Sequence, residues 1–447
     1  MTRPLTIGLL LVLSTCSTAL ADGPARRPLG ENDAKAGKAL YMRECSACHG
    51  ERGNGKGPAA EFTDPRPRDF TKRLFKIRST ESGKPPLTSD LLKTVELGIP
   101  GSAMPSFSFL SEDDRKLIVA YVLKLADLLD EPEPEAIPDP GDGPAPTAAL
   151  IARGKEIYGK MGCKACHGDS GRGDGPAAPN LQDDEERPIK VRDFTGGIYR
   201  GGSAPKDLYK RFVTGMDGSP MPSFGGLVAG EDRWALVHFV NSLKTTPVTT
   251  PLPADAIAAG HAVMTKYSCR SCHVLDDGKG GEVGPDFRVV SRKLDLGWVR
   301  KFLKDPRAAG KIYPWRVWRM PNLGLKDDEV EAIAKYFAAI SKREDKPLTL
   351  PDASKFAADR VTAGMNLYVL RCAECHTLSK VIECPPIKQQ GPDLINVAHR
   401  IDFDWAKSWI LDPKKIDPKS RMTVPGIKPD EVESVAMFVW KTSLGAK

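Results

Sequence analysis

The pattern Cys-x-x-Cys-His of Cys45-Ser46-Ala47-Cys48-His49 returns at 163–167, 269–273 and 372–376. Each copy sets two thiols one helical turn apart and puts an imidazole directly after the second. That set suits one chemistry above others. The thiols, Cys45 and Cys48, Cys163 and Cys166, Cys269 and Cys272, Cys372 and Cys375, can add to the two vinyl groups on one edge of a porphyrin. The imidazoles of His49, His167, His273 and His376 can then take an axial position on its iron. Four covalently attached c-type haems are therefore expected.

The rival uses of a Cys-x-x-Cys pair make demands that the chain does not meet. Structural zinc needs two ligand pairs within roughly 12 to 20 residues of each other, and these pairs lie about a hundred apart with His always next. A redox dithiol should follow a strand in a βαβ unit, whereas each motif here is preceded by a helical pattern.

Spacing also sets the organisation. His49 and His167 are 118 residues apart, His167 and His273 are 106 apart, and His273 and His376 are 103 apart. Such periods predict four repeats of about a hundred residues, each with its own core. Each repeat begins with a helix, over 32–44 in the first, carrying Gly37, Tyr41 and Cys45 four apart. The matching sets are Gly154, Tyr158 and Cys163; Gly260, Met264 and Cys269; Gly364, Tyr368 and Cys372. A mid-helix Gly costs about 1 kcal/mol relative to Ala, so four of them at one place call for close approach of another helix. The expected partner closes each repeat. In the first it covers 111–126, opens on Ser111 and Asp114 as a capping box, and puts Leu117, Ile118, Tyr121, Val122 and Leu125 on one face. An aromatic recurs in it at Tyr121, Phe239, Tyr336 and Phe438.

With these features each repeat resembles a class I cytochrome c domain. The resemblance implies an all-α fold of four tandem cytochrome c-like helical domains, over 30–129, 148–244, 254–342 and 353–447, joined by Pro-rich linkers. It also implies a sixth iron ligand from a Met on the loop before the last helix. Met104, Met221, Met320 and Met422 occupy that place, 55, 54, 47 and 46 residues after their His, so the repeats fall into two pairs. Repeats one and two share Gly-x-Gly-Pro-Ala-Ala and Arg-Asp-Phe-Thr, and repeats three and four share Gly-Pro-Asp. By the same resemblance the carbonyl of Pro285 or Pro392 accepts a hydrogen bond from the axial imidazole, with Pro58 and Pro176 as the candidates in the first pair. Arg68 and Arg192 are candidates for a haem propionate or for a surface ion pair.

The amino-terminal residues 1–21 read as an export signal: Arg3, the apolar run 5–13 and Ala19-Leu20-Ala21. Cys16 there offers a subsidiary route to lipid anchoring. No later stretch is apolar enough to span a bilayer, which leaves a periplasmic protein with at most peripheral membrane contact. Cys384 is the one cysteine left over, and reads as a free thiol. The formal charge of +7 is offset by the propionates of four haems and gives no case for nucleic acid. Residues 130–147 alternate Pro with acidic residues and Gly, predicting an extended spacer, so repeats three and four should sit closer together than one and two. The expected function is an exported carrier of single electrons between redox proteins, with no catalytic residues of its own. A respiratory-complex subunit is the alternative, as is a peroxidase-like or nitrite-reducing enzyme should one site lack its Met.

Overall fold

A computed structural model describes residues 27–245, 251–308, 319–346, 350–378, 391–423 and 425–445. The signal segment, Cys16 and Cys384 lie outside the described residues. Among these residues the chain is helical, and its only β-type pairings are three isolated bridges. No described helix is long and apolar enough to cross a membrane.

Four separate apolar cores lie along the chain, one per repeat. Each is built on the crossing of a repeat's first and last helices. The pairs are Glu31–Glu44 with Glu112–Leu125, Ala148–Lys160 with Gly230–Ser242, Ala256–Lys266 with Asp327–Ser341, and Ala358–Arg371 with Pro429–Gly445. The recurrent glycines sit at these crossings. A methyl group at Gly37, Gly154 or Gly364 would overlap the carbonyl oxygen of Leu117, Ala235 or Ser434, and one at Gly260 would enter the Tyr336 side chain. Beside three of these glycines the repeat aromatics pair across the crossing, Tyr41 with Tyr121 and Tyr158 with Phe239 at 5.1 Å between centroids, and Tyr368 with Phe438 at 5.6 Å. Ser111 caps the last helix of repeat one through the Asp114 amide at 3.1 Å.

The segment 130–147 is extended but not a free spacer. Ile137 is buried and its amide donates to the Ser79 carbonyl at 2.7 Å. Glu133 accepts from the Thr88 amide and from Arg27, and His238 Nε2 donates to the Pro144 carbonyl at 2.9 Å. Repeats one and two, expected to stand apart, are locked by buried arginines. Arg78, fully buried, pairs with Asp217 at 2.8 Å and donates to the Thr214 carbonyl. Arg211 returns the contact to the carbonyls of Lys76 and Arg78. A guanidinium can satisfy several carbonyls at once in fixed geometry, which is how two helical units join here without a shared apolar core. Composition alone could not reveal this, since each arginine reads as a surface residue until its partner repeat is in place.

Candidate functional site

In each repeat the first helix delivers the two cysteines and the His at its carboxy-terminal end. In repeat one Cys45 is the residue on which Glu31–Glu44 ends, and Ser46–His49 follows as one further turn. A tyrosine from the same helix ties this turn down: the hydroxyls of Tyr41, Tyr158 and Tyr368 donate to the carbonyls of Gly50, Gly168 and His376 at 2.7, 2.7 and 2.9 Å. Repeat three has Met264 at this place, and Tyr336 of its last helix reaches Asp276 instead, at 2.9 Å. This role of the tyrosines was missed in the sequence. Their spacing of four from Gly and of four or five from Cys was visible, but nothing local showed where the hydroxyl points.

The imidazoles are held on their Nδ1 side. His273 donates to the Pro285 carbonyl at 2.8 Å and His376 to that of Pro392 at 2.9 Å. The first pair differs from expectation: His49 donates to the carbonyl of Arg68 at 3.1 Å, not to Pro58. The Arg192 carbonyl stands at the matching place beside His167 and favours its protonated form, but the Nδ1 contact falls outside ordinary hydrogen-bond geometry, and Pro176 takes no part. The reason is a difference of route. In repeats three and four the glycine of Gly-Pro-Asp packs flat on the imidazole, so close that a methyl at Gly284 or Gly391 would collide with the ring. In repeats one and two the Gly-Pro segment packs instead on the motif turn, where a methyl at Gly57 or Gly175 would meet the Ala47 or Ala165 carbonyl. The chain there reaches the imidazole only later, at Arg-Asp-Phe-Thr. The Phe of that motif also packs on the ring, with His49 and Phe70 centroids 4.5 Å apart and His167 and Phe194 4.4 Å apart. Phe287 does the same for His273 at 4.4 Å.

Burial sets the protonation states. His49 is pushed down to about 4 by burial, against the Arg68 carbonyl, and burial also lowers His167 and His376. Neutral imidazole, the form that binds a metal, is thus the resting form. Burial raises the thiols, Cys48 to about 12 with the nearby Cys272 adding to it, Cys269 to about 12, and Cys163, Cys272 and Cys372 to about 11. A redox dithiol or zinc thiolate requires the opposite shift. Among the described residues no cluster of three or more His, Cys, Asp or Glu could hold a bare metal ion.

The Met loops lie beside these motifs. The helices Thr88–Leu97 and Pro205–Thr214 end on Gly98 and Gly215, both at positive φ. From there the loop closes on itself, the amides of Ile99 and Met216 donating to the carbonyls of Met104 and Met221 at 3.1 Å each. Met104, Met320 and Met422 line the same cavity as the Cys and His of their own repeats, and Met221 packs with Cys163 against the second core. Trp409 Nε1 donates to the Met422 sulfur at 3.1 Å.

This cavity, about 1350 Å³ and lined mainly by apolar side chains, joins the clefts of repeats one, three and four. At the mouth of repeat one stand Arg68, Lys76 and, from repeat two, Arg200. Lys76 is pushed down to about 8, first by burial and then by those two arginines, and Arg200 Nε is buried without a partner. A flat apolar group with an anionic edge fits this cleft, whose lining brings together two neutral thiols, an imidazole, a thioether and cations. Arg68 also pairs with Asp184 at 3.3 Å.

The family model for cytochrome c matches residues 34–126, 151–244 and 257–341, more than half of the chain. Cytochrome c-554(547) of Halothiobacillus neapolitanus is 32% identical over 95 residues, 97% of its length and 21% of this chain. The Cbb3-type cytochrome c oxidase subunit CcoP of Azospirillum sp. is 27% identical over 33% of this chain, and 45% of that subunit is spanned. The subunit FixP of Azorhizobium caulinodans is 24% identical over 46% of the chain, spanning 58% of FixP, so the chain covers about half the length of these larger relatives. A chain of the Kuenenia stuttgartiensis reducing HAO-like protein complex aligns with 47% of this chain and 96% of its own, at 41% identity and a TM-score of 0.46. With its helical repeats, its motif geometry and the family-model match over more than half of its length, the chain belongs to the cytochrome c family, as a multihaem c-type electron-transfer protein.

Proposed function

We propose that the chain is an exported tetrahaem cytochrome that takes single electrons from one redox protein and gives them to another. The carrying observation is the recurrence in all four repeats of one motif and one facing Met. Bound haem would supply a one-electron iron couple. Cys45 and Cys48, Cys163 and Cys166, Cys269 and Cys272, and Cys372 and Cys375 would hold it covalently. His49, His167, His273 and His376, with Met104, Met221, Met320 and Met422, would ligate its iron. The carbonyls of Arg68, Pro285 and Pro392 fix the tautomer and basicity of their imidazoles. Thioether ligation would favour the reduced state relative to a second His. With both kinds of ligand supplied by the protein, the chain's residues would bind, orient and exclude water, and electron transfer would ask no catalytic residue of them. The apolar run at 5–13 supports export, in keeping with haem attachment outside the cytoplasm.

Carbon monoxide tests this reading. The oxidised protein should be wholly low-spin with a far-red sulfur-to-iron band, and Met422→Ala should open one site to carbon monoxide and remove one share of that band. A high-spin or carbon monoxide-binding site in the unaltered protein overturns the carrier reading in favour of an enzyme. Likeness to CcoP and FixP favours a second reading, a peripheral electron-transfer subunit of a respiratory complex. Co-purification with a detergent-solubilised oxidase would select it, and full recovery in the soluble periplasmic fraction would reject it.

A further inference from the structure

Order along the chain and order in space differ. Repeat two is joined to repeat one by Arg78, Arg211 and Asp217. Repeat one is joined in turn to repeat three. Ser271, inside the third motif, donates to the Phe62 carbonyl at 3.1 Å. Arg307 forms a forked ion pair with Glu44, which is 1% exposed and precedes Cys45, and Arg307 also lies 4.5 Å from the Phe109 ring centre. Repeat three is joined to repeat four by reciprocal backbone bonds, Asp295 to Arg400 at 2.8 Å and Asp402 to Lys293 at 3.0 Å. Lys293 there lies over Trp405 at 5.5 Å and Trp409 at 5.8 Å.

The clefts follow the same order. The cavity holding the first motif continues into those of the third and fourth, so Cys48 and Cys272 open on one shared space although more than two hundred residues separate them. Arg200 and Met216 of repeat two line the other rim of repeat one. Met216 is hydrogen-bonded to the backbone of Met221, which brings the second Met loop to the first cleft.

From this arrangement we infer that electrons move along the connected series two, one, three, four, entering at either end, with repeat one as the relay between the amino-terminal and carboxy-terminal pairs. This rests on the tetrahaem carrier reading. Each hop oxidises one site and reduces the adjacent one, with no bond made or broken and no proton required; the external donor and acceptor are redox proteins. A chain whose repeats were strung in sequence order would couple two to three, and the structure joins one to three instead.

Site-resolved spectroelectrochemical titration of the four-haem protein tests the order, because adjacent redox sites shift each other's midpoints reciprocally. Met320→His, which lowers the potential of its own site, should shift the midpoints of repeats one and four and leave repeat two unmoved. Met221→His should shift repeat one and leave three and four unmoved. Arg307→Ala, which removes none of the proposed iron ligands, should weaken the mutual shift of one and three while leaving that of three and four. Coupling of repeat three to two, or its absence between one and three, overturns the proposed order. The haem content of the denatured protein is read alongside: fewer than four haems contradicts the tetrahaem reading, whereas four haems with the wrong couplings contradicts only the order.

Discussion

Repeats one and two perform the same task as repeats three and four by a different route. In the second pair a single local motif, Gly-Pro-Asp, presents its carbonyl to the imidazole Nδ1 and its glycine to the ring face. In the first pair those duties are divided. Gly57 and Gly175 serve the motif turn, and the carbonyl comes from Arg68, nineteen residues after His49. The joints differ as well: buried guanidinium-to-carbonyl bonds link one and two, and a backbone bridge links three and four. The lesson is that the cofactor's demand on the His is fixed while the chain segment meeting it is not, so a contact made by a backbone carbonyl can move along the sequence without a trace in residue type.

The sharpest break of this comparison is a methyl group on the imidazole. Gly284→Ala or Gly391→Ala should abolish low-spin ligation in its own repeat and lower haem retention there, since the new carbon collides with the axial ring. Gly57→Ala should distort the motif turn but leave the His49 to Arg68 bond, so low-spin character should survive. Absorption and magnetic circular dichroism of the variants separate these outcomes. Equal loss of ligation in both pairs would dissolve the distinction.

Next in size is the joint. Arg78→Ala leaves Asp217 and the Thr214 carbonyl without their buried partner, and should cost about 3 kcal/mol and expose 130–147 to proteases. Calorimetry and limited proteolysis read both. The change should leave the unfolding of repeats three and four alone, as expected for separate cores.

Acid should weaken both pairs, because burial is the largest cause lowering His49, His167 and His376. The sign follows from depressed folded-state values. An unfolded His takes up a proton near its ordinary value of 6.5, whereas the buried imidazoles resist it. The stabilisation is therefore complete above about pH 6.5 and declines as the pH falls below it. Thermal midpoints measured on acidification should drop; a midpoint that rises contradicts the assignment.

The smallest effect is expected at the tyrosines. Tyr41→Phe and Tyr158→Phe each remove one hydrogen bond to a motif-turn carbonyl and should cost about 1 kcal/mol. Tyr336→Phe in repeat three should disturb the Asp276 contact and not the motif turn.

What could be read from the sequence was set by range. The motifs, the crossing glycines and the terminal helices are regularities within one repeat, and each follows from a local steric or covalent need: Gly37, Gly154 and Gly364 are pressed against carbonyls as their recurrence implies. Pro285 and Pro392 were legible because the motif that makes the contact also names it. Arg68 was legible as a residue but not as the source of an accepting carbonyl, and Pro58 and Pro176 were the wrong choice for that reason. The joints were hidden because Arg78, Arg211 and Arg307 have meaning only beside Asp217, Lys76 and Glu44, which lie far off in sequence. Composition likewise marked 130–147 as extended but could not show Ile137 tucked beneath Ser79.

Haem stoichiometry tests the central claim most directly. Repeat four lies outside the regions that match the family model, yet has the same Tyr368, His376 and Pro392 geometry. Protein produced in a host with periplasmic haem maturation, then denatured and freed of unbound cofactor, should retain four haems per chain. Three or fewer would contradict the account, and mass spectrometry of the haem-bearing peptides would show which repeat carries none.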